Sequence, residues 1–527
     1  MKKVSLILLF TISAFVTFGQ GFSPLQQRKL ANAITAISNL YVDSIDDKKL
    51  VESAIVAMLK DLDPHSSYIP REEVERVNEP LEGSFEGVGI QFQMFEDTLL
   101  VVQTIAGCPA EKVGVQPGDR IIYIDDELVA GVKMQNSGVM KRLRGPKGTE
   151  VAVKILRKGE PDLMVFKIIR DKIPLHSVDA DYMIDKEIGY IKINNFGATT
   201  VDEFEDAFTK LQKMGMKSLI LSLQGNGGGY LTAAQGLADE FLGANKLIVY
   251  TQGLNQPKSI MESSAEGRFE KGKLIVLVDE YSASASEILS GALQDWDRAI
   301  IVGRRTFGKG LVQRQLPLVD GSMLRLTTAR YYTPTGRCIQ KSYKDGVEKY
   351  EDDLSERYKH GELLHADSIH FPDSLRYQTL TLKRTVYGGG GIMPDIFVPL
   401  DTTGYTDFNR QVIARGILNK VVVQYIDENR KDLQKKYRKF DDFKKTFEVD
   451  NALMNQIKQL ADSEKIKSDE EMIEKSIPLM KLQIKALIAR DLWDMNEYYQ
   501  IMNVENETLK KAVEILQTPG AYESILK

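Results

Sequence analysis

The clearest pattern of apolar positions lies in the middle of the chain. An unbroken apolar run at residues 274–278 is short and rich in β-branched residues, which predicts a buried strand. Apolar residues then recur at helical spacing over residues 288–296, and a second apolar run covers residues 299–302. Strand, helix and strand in this order predict a βαβ unit with parallel strands.

Two polar features interrupt this unit. Ser282, Ser284 and Ser286 stand where the helix begins, and Lys309 stands between two glycines just beyond the second strand. Each has an ordinary structural explanation. Ser284 and Glu287 have the spacing of a capping box, and Gly-Lys-Gly is typical of a solvated turn.

Together the two features also fit a Ser–Lys catalytic site. A serine at a helix N-terminus lies beside the next backbone amide and the positive end of the helix dipole, which suits an oxyanion. A lysine serves as a base only if burial makes it neutral. If Lys309 starts a strand, Gln313 lies on the same face, and its side-chain carbonyl could orient the amine.

A glycine-rich loop at residues 225–229 follows a predicted strand at residues 219–223. Such a loop can bind phosphate, but no Walker or Gly-x-Gly-x-x-Gly pattern is present. The same loop can instead offer a backbone amide to a tetrahedral intermediate.

Beyond this unit, a chain of 527 residues predicts several domains. We expect five regions: a signal peptide at 1–19, an N-terminal helical region at 20–82, a β-rich module at 83–171, an α/β core at 172–400 with a charged loop insertion at 341–375, and a C-terminal helical region at 401–527. The last is highly charged and could be a dimerisation arm, a substrate-gathering surface or a solvated appendage.

Composition narrows the class of protein. The chain is 43% hydrophobic and 27% charged, as ordinary soluble globular proteins are. The net charge of -5 is small for this length and gives no case for binding nucleic acid or an anionic membrane surface.

The amino terminus has the pattern of an export signal. Lys2 and Lys3 precede an apolar run at residues 4–18, with small residues at Thr17 and Gly19 for a signal peptidase. We therefore expect cleavage near Gly19 and a periplasmic protein. The alternative is a retained, membrane-associated segment, although the run is short for a membrane span.

Cysteine and histidine add little chemistry. Cys108 and Cys338 fall in different predicted domains, so we expect two separate thiols. The last three of the five histidines are spaced by five, which does not stack them on one helical face. No metal site is predicted.

Several motifs resemble the C-terminal processing peptidases (tail-specific proteases). They are Ser-Ala-Ser-Ala-Ser-Glu-Ile at 282–288, Thr-Phe-Gly-Lys-Gly-Leu-Val-Gln at 306–313, and Leu-Asp-Pro-His-Ser-Ser-Tyr at 62–68. The resemblance implies Ser284 as the nucleophile, Lys309 as its base and Gln313 as the residue that positions the lysine. We assign no catalytic role to His65 and expect a structural turn around it.

The resemblance also implies an oxyanion hole. Its donors would be the backbone amides of Ala285 and Gly228, with Gly227 as the neighbour left open. The family often has Asp and Arg where this chain has Ser222 and Gln224, which puts a local ion pair in doubt.

Residues 109–122 resemble a PDZ domain of the bacterial protease type, so the module at 83–171 is called the PDZ module below. Successive amides in a glycine loop can bind an anion, and a free strand edge can accept an extended peptide. A free C-terminal tail would therefore bind at Gly87, Val88, Gly89 and Ile90. Of the basic residues after it, one of Arg142 and Arg144 could couple the module to the protease site.

The resemblance thus implies an α/β multidomain protein with a ClpP/crotonase-like α/β serine protease core, an inserted PDZ domain and flanking helical segments. Its function would be that of an exported serine endopeptidase that needs no cofactor and acts on proteins with free C-termini. Assembly into a homo-oligomer is left open. The alternatives are a catalytically silent PDZ scaffold and an acyl-CoA enzyme of the related crotonase architecture.

Overall fold

The computed structural model describes residues 21–265, 267–467 and 469–527. The predicted signal peptide at 1–19 therefore lies outside the described residues. No helix among the described residues is both long and apolar enough to cross a membrane.

The N-terminal region is helical, and its first two helices bury very little. It contains α1 (Pro24–Leu40), α2 (Asp47–Lys60), β1 (Ser67–Ile69) and α3 (Arg71–Glu82). Helix α1 buries no side chain and α2 buries only Leu59. Their apolar stripes, including Leu30, Ile34, Ile37 and Val51, are exposed to solvent.

The PDZ module is a β structure inserted between two paired strands. Its elements are β2 (Ser84–Gly87), β3 (Ile90–Phe95), β4 (Thr98–Thr104), α4 (Pro109–Lys112), β5 (Arg120–Ile124), β6 (Glu127–Leu128), α5 (Asn136–Leu143), β7 (Glu150–Leu156), β8 (Met164–Ile169) and β9 (Asp171–Pro174). Strands β3, β4, β5, β7 and β8 pair in that order, and β6 pairs with β5. The entering strand β2 and the leaving strand β9 pair with each other, which closes the module at its base.

The core contains the predicted βαβ unit. Its elements are β10 (Val178–Met183), β11 (Ile188–Ile193), α6 (Thr200–Lys213), β12 (Ser218–Ser222), α7 (Leu231–Asp239), β13 (Leu247–Gly253), β14 (Gln256–Glu262), β15 (Lys273–Val278), α8 (Ala285–Asp295), β16 (Ile300–Gly303), β17 (Leu311–Pro317) and β18 (Met323–Tyr332). Strands β15 and β16 are parallel neighbours joined by α8, so the βαβ prediction is confirmed.

The insertion before the end of the core has more regular structure than predicted. The sequence predicts loops over 341–375, whereas the chain forms α9 (Val347–Glu351), α10 (Asp353–Lys359) and two short 3-10 turns. The side chain of Arg357 reaches back to the carbonyls of Arg305 and Thr306 and fixes α10 to the core. The core ends with β19 (Arg376–Gln378), β20 (Thr385–Tyr387) and β21 (Ile396–Phe397).

Two sheets organise the core. The main sheet has the order β10-β11-β12-β15-β16-β21, and its strands from β11 onward are parallel. The second sheet has the order β1-β18-β13-β14, with β17 also paired to β18. Because β1 belongs to the N-terminal region, the Leu-Asp-Pro-His-Ser turn that precedes it lies against the core.

The C-terminal helical region is an ordered part of the structure. Its helices are α11 (Asp407–Ala414), α12 (Ile417–Lys436), α13 (Phe440–Thr446), α14 (Asn451–Ser463), α15 (Glu470–Leu492), α16 (Met495–Met502), α17 (Glu507–Gln517) and α18 (Ala521–Ile525). Helices α11 to α16 share a hydrophobic core of their own, and α17 and α18 pack on the main sheet. The alternative of a solvated appendage is therefore wrong.

Candidate active site

The turn before α8 distinguishes the three serines. Ser282 and Ser286 are fully buried, and their hydroxyls donate to the carbonyls of Leu223 and Asn226, both at 2.8 Å. Ser284 lines a cavity. Its backbone has φ 56° and ψ −113°, a conformation that costs energy for any residue other than glycine. The two outer serines thus fix the turn, and the middle one faces the cavity.

Glu287 joins this turn to the lysine loop. Its carboxylate is completely buried and accepts hydrogen bonds from the backbone amides of Ser284 at 2.8 Å, Gly308 at 2.7 Å and Lys309 at 2.9 Å, and from the hydroxyl of Thr306 at 2.5 Å. Burial raises the pKa of Glu287 to about 7, against the opposite effect of these donors. The predicted capping residue therefore also links the backbone of Ser284 to that of Lys309.

Lys309 lines the same cavity as Ser284 and lies two residues before the strand that contains Gln313. The backbone amide of Lys309 donates to Glu287, and its carbonyl accepts from the Tyr331 hydroxyl. Because both groups are bonded to side chains, they do not pair with a neighbouring strand, and β17 begins at Leu311. Burial lowers the pKa of Lys309, and the positive charge of Arg325 lowers it further. Both effects favour the neutral amine that a base requires.

Gln313 lies on β17, lines the cavity and is supported from the N-terminal region. Its side-chain amide donates to the Thr327 hydroxyl at 3.3 Å, and that hydroxyl donates to the Asp63 carboxylate at 3.0 Å. Asp63 also accepts from the hydroxyl of Ser66 at 2.6 Å, and Ser66 in turn accepts from the Thr327 amide at 3.1 Å. A chain of hydrogen bonds therefore fixes the amide of Gln313.

His65, in the same turn as Asp63 and Ser66, makes its side-chain contacts with Tyr350. Its Nε2 lies 2.8 Å from the Tyr350 hydroxyl, and the two rings pack edge to face. The pKa of His65 is lowered to about 4, chiefly by burial and to a smaller extent by nearby lysine charge. A neutral, hydrogen-bonded His65 agrees with the structural role expected from the sequence.

The glycine loop at residues 225–229 packs directly on the serine turn at residues 282–286. A Cβ on Gly228 would lie 2.7 Å from the Cβ of Ser284 and 2.9 Å from the amide nitrogen of Ala285, so no larger residue fits. The amide of Gly228 donates to the Asn226 side chain at 2.8 Å, while Gly227 and Gly229 line the cavity. The predicted donor thus lies beside Ser284 but is paired with Asn226 in this state.

The shared cavity has a volume of about 570 Å³, and one wall comes from α3. Asn78 and Leu81 line that wall, and Asn78 accepts from the Gln315 side chain at 2.8 Å. On the same helix, Glu79 pairs with Arg144 of the PDZ module at 2.6 Å. Helix α3 therefore touches both the cavity and the PDZ module, as the coupling hypothesis for one of the two arginines requires.

The other predicted arginine, Arg142, pairs with Glu127 inside the PDZ module. A larger cavity of about 830 Å³ lies between the core and the C-terminal helical region, and its lining contains none of Ser284, Lys309 and Gln313. No cluster of three or more potential metal ligands occurs among the described residues.

The predicted tail-binding residues form the entry to β3. Gly87 ends β2, and Ile90 begins β3, which pairs only with β4 in the described part of the chain and so leaves one edge free. Val88 is buried in the core of the module. Gly89 has φ +80°, and a Cβ there would lie 2.5 Å from that of Cys108, so the loop needs a glycine. Cys108 and Cys338 are both free thiols.

Sequence reasoning missed three supporting residues. The spacing of Glu287 predicts only a cap, whereas its buried carboxylate accepts four hydrogen bonds from the serine turn and the lysine loop. Asp63 and Thr327 are not among the predicted site residues. The Leu-Asp-Pro-His-Ser motif was the available signal for Asp63, whereas the sequence around Thr327 contains no such motif.

Four segments of the chain match known protein families. Residues 187–349 match peptidase family S41, and residues 87–167 match the PDZ domain. Residues 19–73 match the N-terminal domain of the activating protease CtpB, and residues 408–494 match a family of unknown function, DUF8443.

Curated bacterial relatives cover about three fifths of this chain. The carboxy-terminal processing protease CtpA of Bacillus subtilis is 37% identical over 314 residues, which are 59% of this chain and 66% of the relative. The carboxy-terminal-processing protease of Bartonella bacilliformis is 37% identical over 339 residues, 63% of this chain and 77% of the relative. The chain thus spans slightly less than two thirds of CtpA.

Among solved structures, the photosystem II D1 C-terminal processing protease is similar in sequence. It is 29% identical, and the match covers 60% of this chain and 90% of that one, with a TM-score of 0.34.

Proposed function

The chain belongs to peptidase family S41, among the C-terminal processing peptidases, and from this membership we propose that it is an exported serine endopeptidase that recognises protein tails. One observation carries the proposal. Ser284, Lys309 and Gln313 line a single cavity, while the serines on either side of Ser284 are buried and bonded to the backbone. Only the middle serine is available to a substrate.

In the proposed reaction, neutral Lys309 takes the proton from the Ser284 hydroxyl as its oxygen attacks the scissile carbonyl. Gln313, fixed through Thr327, orients the lysine amine. The proton then passes from Lys309 to the leaving amine, and an acyl-enzyme remains. Lys309 next activates a water molecule, which releases the acyl group and regenerates Ser284.

The backbone amides of Ala285 and Gly228 would stabilise the oxyanion of the tetrahedral intermediate. Removal of one such donor costs about 2.7–4 kcal/mol in enzymes with comparable sites. For Gly228 to contribute, its amide must exchange the Asn226 side chain for the oxyanion. Gly227, which also lines the cavity, is the alternative candidate for this second donor.

The proposed substrates are proteins with free C-termini. The free edge of β3 and the amides of residues 87–90 suit an extended peptide that ends in a carboxylate. No nucleic acid and no cofactor enter this proposal.

We place the enzyme in the periplasm on the basis of its N-terminal signal pattern, with membrane association if the signal is retained. Self-association is supported by the exposed apolar stripes of α1 and α2. Exposed apolar patches of this kind are typical of interaction surfaces.

The test compares the protein with its Ser284→Ala and Lys309→Ala variants on an unstructured protein substrate. We expect cleavage by the wild type alone, with a loss on the order of 10⁶-fold when the nucleophile is removed. Equal cleavage by all three proteins would overturn the Ser–Lys assignment. No cleavage by any of them would favour the silent PDZ scaffold.

Tail recognition is tested separately by removing the last residues of the substrate. We expect slower cleavage of the shortened substrate. An unchanged rate would count against capture of the tail by the PDZ module.

A further inference from the structure

Helix α12 of the C-terminal helical region covers one face of the PDZ module's sheet. On β4, Leu99 and Val101 point into the module's own core. The alternate residues Leu100 and Val102 are buried on the opposite face, in one apolar cluster with Val423 of α12. The sheet of the module is therefore covered on both faces along β4.

Polar contacts fix the position of α12 on this face. The guanidinium of Arg120 donates to the carboxylate of Asp427 at 2.7 Å, and both side chains are largely buried. Arg430, one helical turn further on, donates to the carbonyl of Val102 at 3.2 Å. The gap that remains along the seam has a volume of only about 10 Å³. The ion pair, the bond from Arg430 to Val102 and the close packing together define how α12 docks on the module.

The other end of the C-terminal helical region is fixed to the protease core, behind the glycine loop. The Asn506 side chain donates to the Gln224 side chain at 3.0 Å, and the backbone amide of Leu274 donates to the Tyr522 hydroxyl at 3.1 Å. Apolar residues of α17 pack on the main sheet: Leu509, Ala512 and Ile515. Between its two ends, the region has a continuous hydrophobic core of its own.

The docked helix leaves the proposed tail-binding groove open. The groove lies along the free edge of β3, and a wide concavity at one end is lined by Met94, Asp97 and residues 133–137. None of these residues belongs to the apolar cluster with Val423. Of β3, Phe95 at its end joins this cluster, so the contact with α12 holds one face of the module's sheet and leaves the pairing edge of β3 open.

We propose that the C-terminal helical region is a rigid spacer that sets the distance between the captured tail and Ser284, and so determines where a substrate is cut. Domains joined by small interfaces move relative to one another by default. Here a prefolded helical body bridges the two functional centres. A rigid connection of fitting length maximises the effective concentration of the bound substrate at the second site. The proposal rests on the proposed function.

The experiment uses charge reversal at the seam. Asp427→Arg places two arginines opposite each other, and Arg120→Asp places two aspartates opposite each other, whereas the double variant Arg120→Asp/Asp427→Arg restores an ion pair in the reverse sense. Glu428→Arg is the matched control, because it makes the same reversal on the same helix at an exposed position.

The readout is the position of cleavage, counted from the substrate's C-terminus by mass spectrometry on unstructured substrates of increasing length. The wild type and Glu428→Arg should cut within one narrow window at a constant distance from the tail. Each single seam variant should cut over a broader window, with a rate lower on the order of tenfold, and the double variant should recover the narrow window.

The outcomes separate this proposal from the proposed function. A wild type no more active than Ser284→Ala would overturn the proposed function itself. Active single variants with the wild-type window, or a double variant that behaves like the single variants, would overturn the spacer. Thermal unfolding of each variant checks that the chain is folded, and recovery in the double variant cannot come from a misfolded protein.

Discussion

The serine turn at residues 282–286 and the lysine loop at residues 306–310 meet in one cavity, but they are supported by different parts of the chain. Ser284 is held by the neighbouring glycine loop, through bonds from Ser282, Ala283 and Ser286 to residues 223–226. The side chain of Gln313 is supported instead by Thr327 and, through it, by Asp63 of the N-terminal region. The turn that contains Ser284 is therefore supported from within the core, whereas Gln313 is supported in part from the N-terminal region.

Glu287 accepts hydrogen bonds from the backbones of both Ser284 and Lys309, so its replacement should have the largest effect. Glu287→Gln keeps the size of the side chain but leaves too few acceptor oxygens for the four donors around it. Each buried donor left without a partner costs about 1–3 kcal/mol. We expect a loss of several kcal/mol in the free energy of unfolding, measured by denaturant titration, together with loss of cleavage. Glu351→Gln, at an exposed position, is the control.

We expect a smaller effect when only the hydrogen bonds that support Gln313 are removed. Thr327→Val is nearly isosteric and removes the hydroxyl that joins Gln313 to Asp63. Misplacement of the lysine should lower kcat by roughly 10- to 100-fold, with little change in KM, because small errors in the position of a catalytic group cost about that much. The adjacent Thr328→Val serves as the control. Equal kinetics for the two variants would mean that the chain of hydrogen bonds does not position the base.

The mildest change alters only the charge near the base. Arg325 lowers the pKa of Lys309, so Arg325→Gln should raise that pKa. The lysine is active when neutral, and a higher pKa means that the rate of cleavage begins to fall at a higher pH as the solution is acidified. The pH–rate profile should therefore shift towards alkaline pH and keep its plateau. Arg314→Gln, an exposed arginine on β17, should leave the profile unchanged.

Features that depend on short-range spacing could be predicted from the sequence, whereas contacts between separate segments could not. The βαβ unit and its serine-rich turn are encoded by short-range apolar spacing, and the structure has both. The strand that contains Gln313 begins at Leu311 and not at Lys309, because Glu287 and Tyr331 bind the backbone of the lysine. Pairing of this kind depends on contacts that no local pattern encodes.

The glycine loop and the C-terminal helical region show the same limit. Glycines at residues 227–229 indicate a close approach of backbone, but the pairing of the Gly228 amide with Asn226 depends on how the loop is folded. The helical periodicity after residue 401 predicts helices correctly. Which surfaces they cover is decided by α12 on the PDZ module and α17 on the main sheet, and high surface charge concealed both contacts.

The central claim is that neutral Lys309 activates Ser284. It is tested most directly by the rate at which a fluorophosphonate labels Ser284 as a function of pH. We predict labelling at Ser284 that rises with pH to a plateau, with a midpoint below the ordinary lysine pKa of 10.5, and near-complete loss of labelling in Lys309→Ala. Labelling of Ser284 at the wild-type rate in Lys309→Ala, with an unchanged pH profile, would contradict the account.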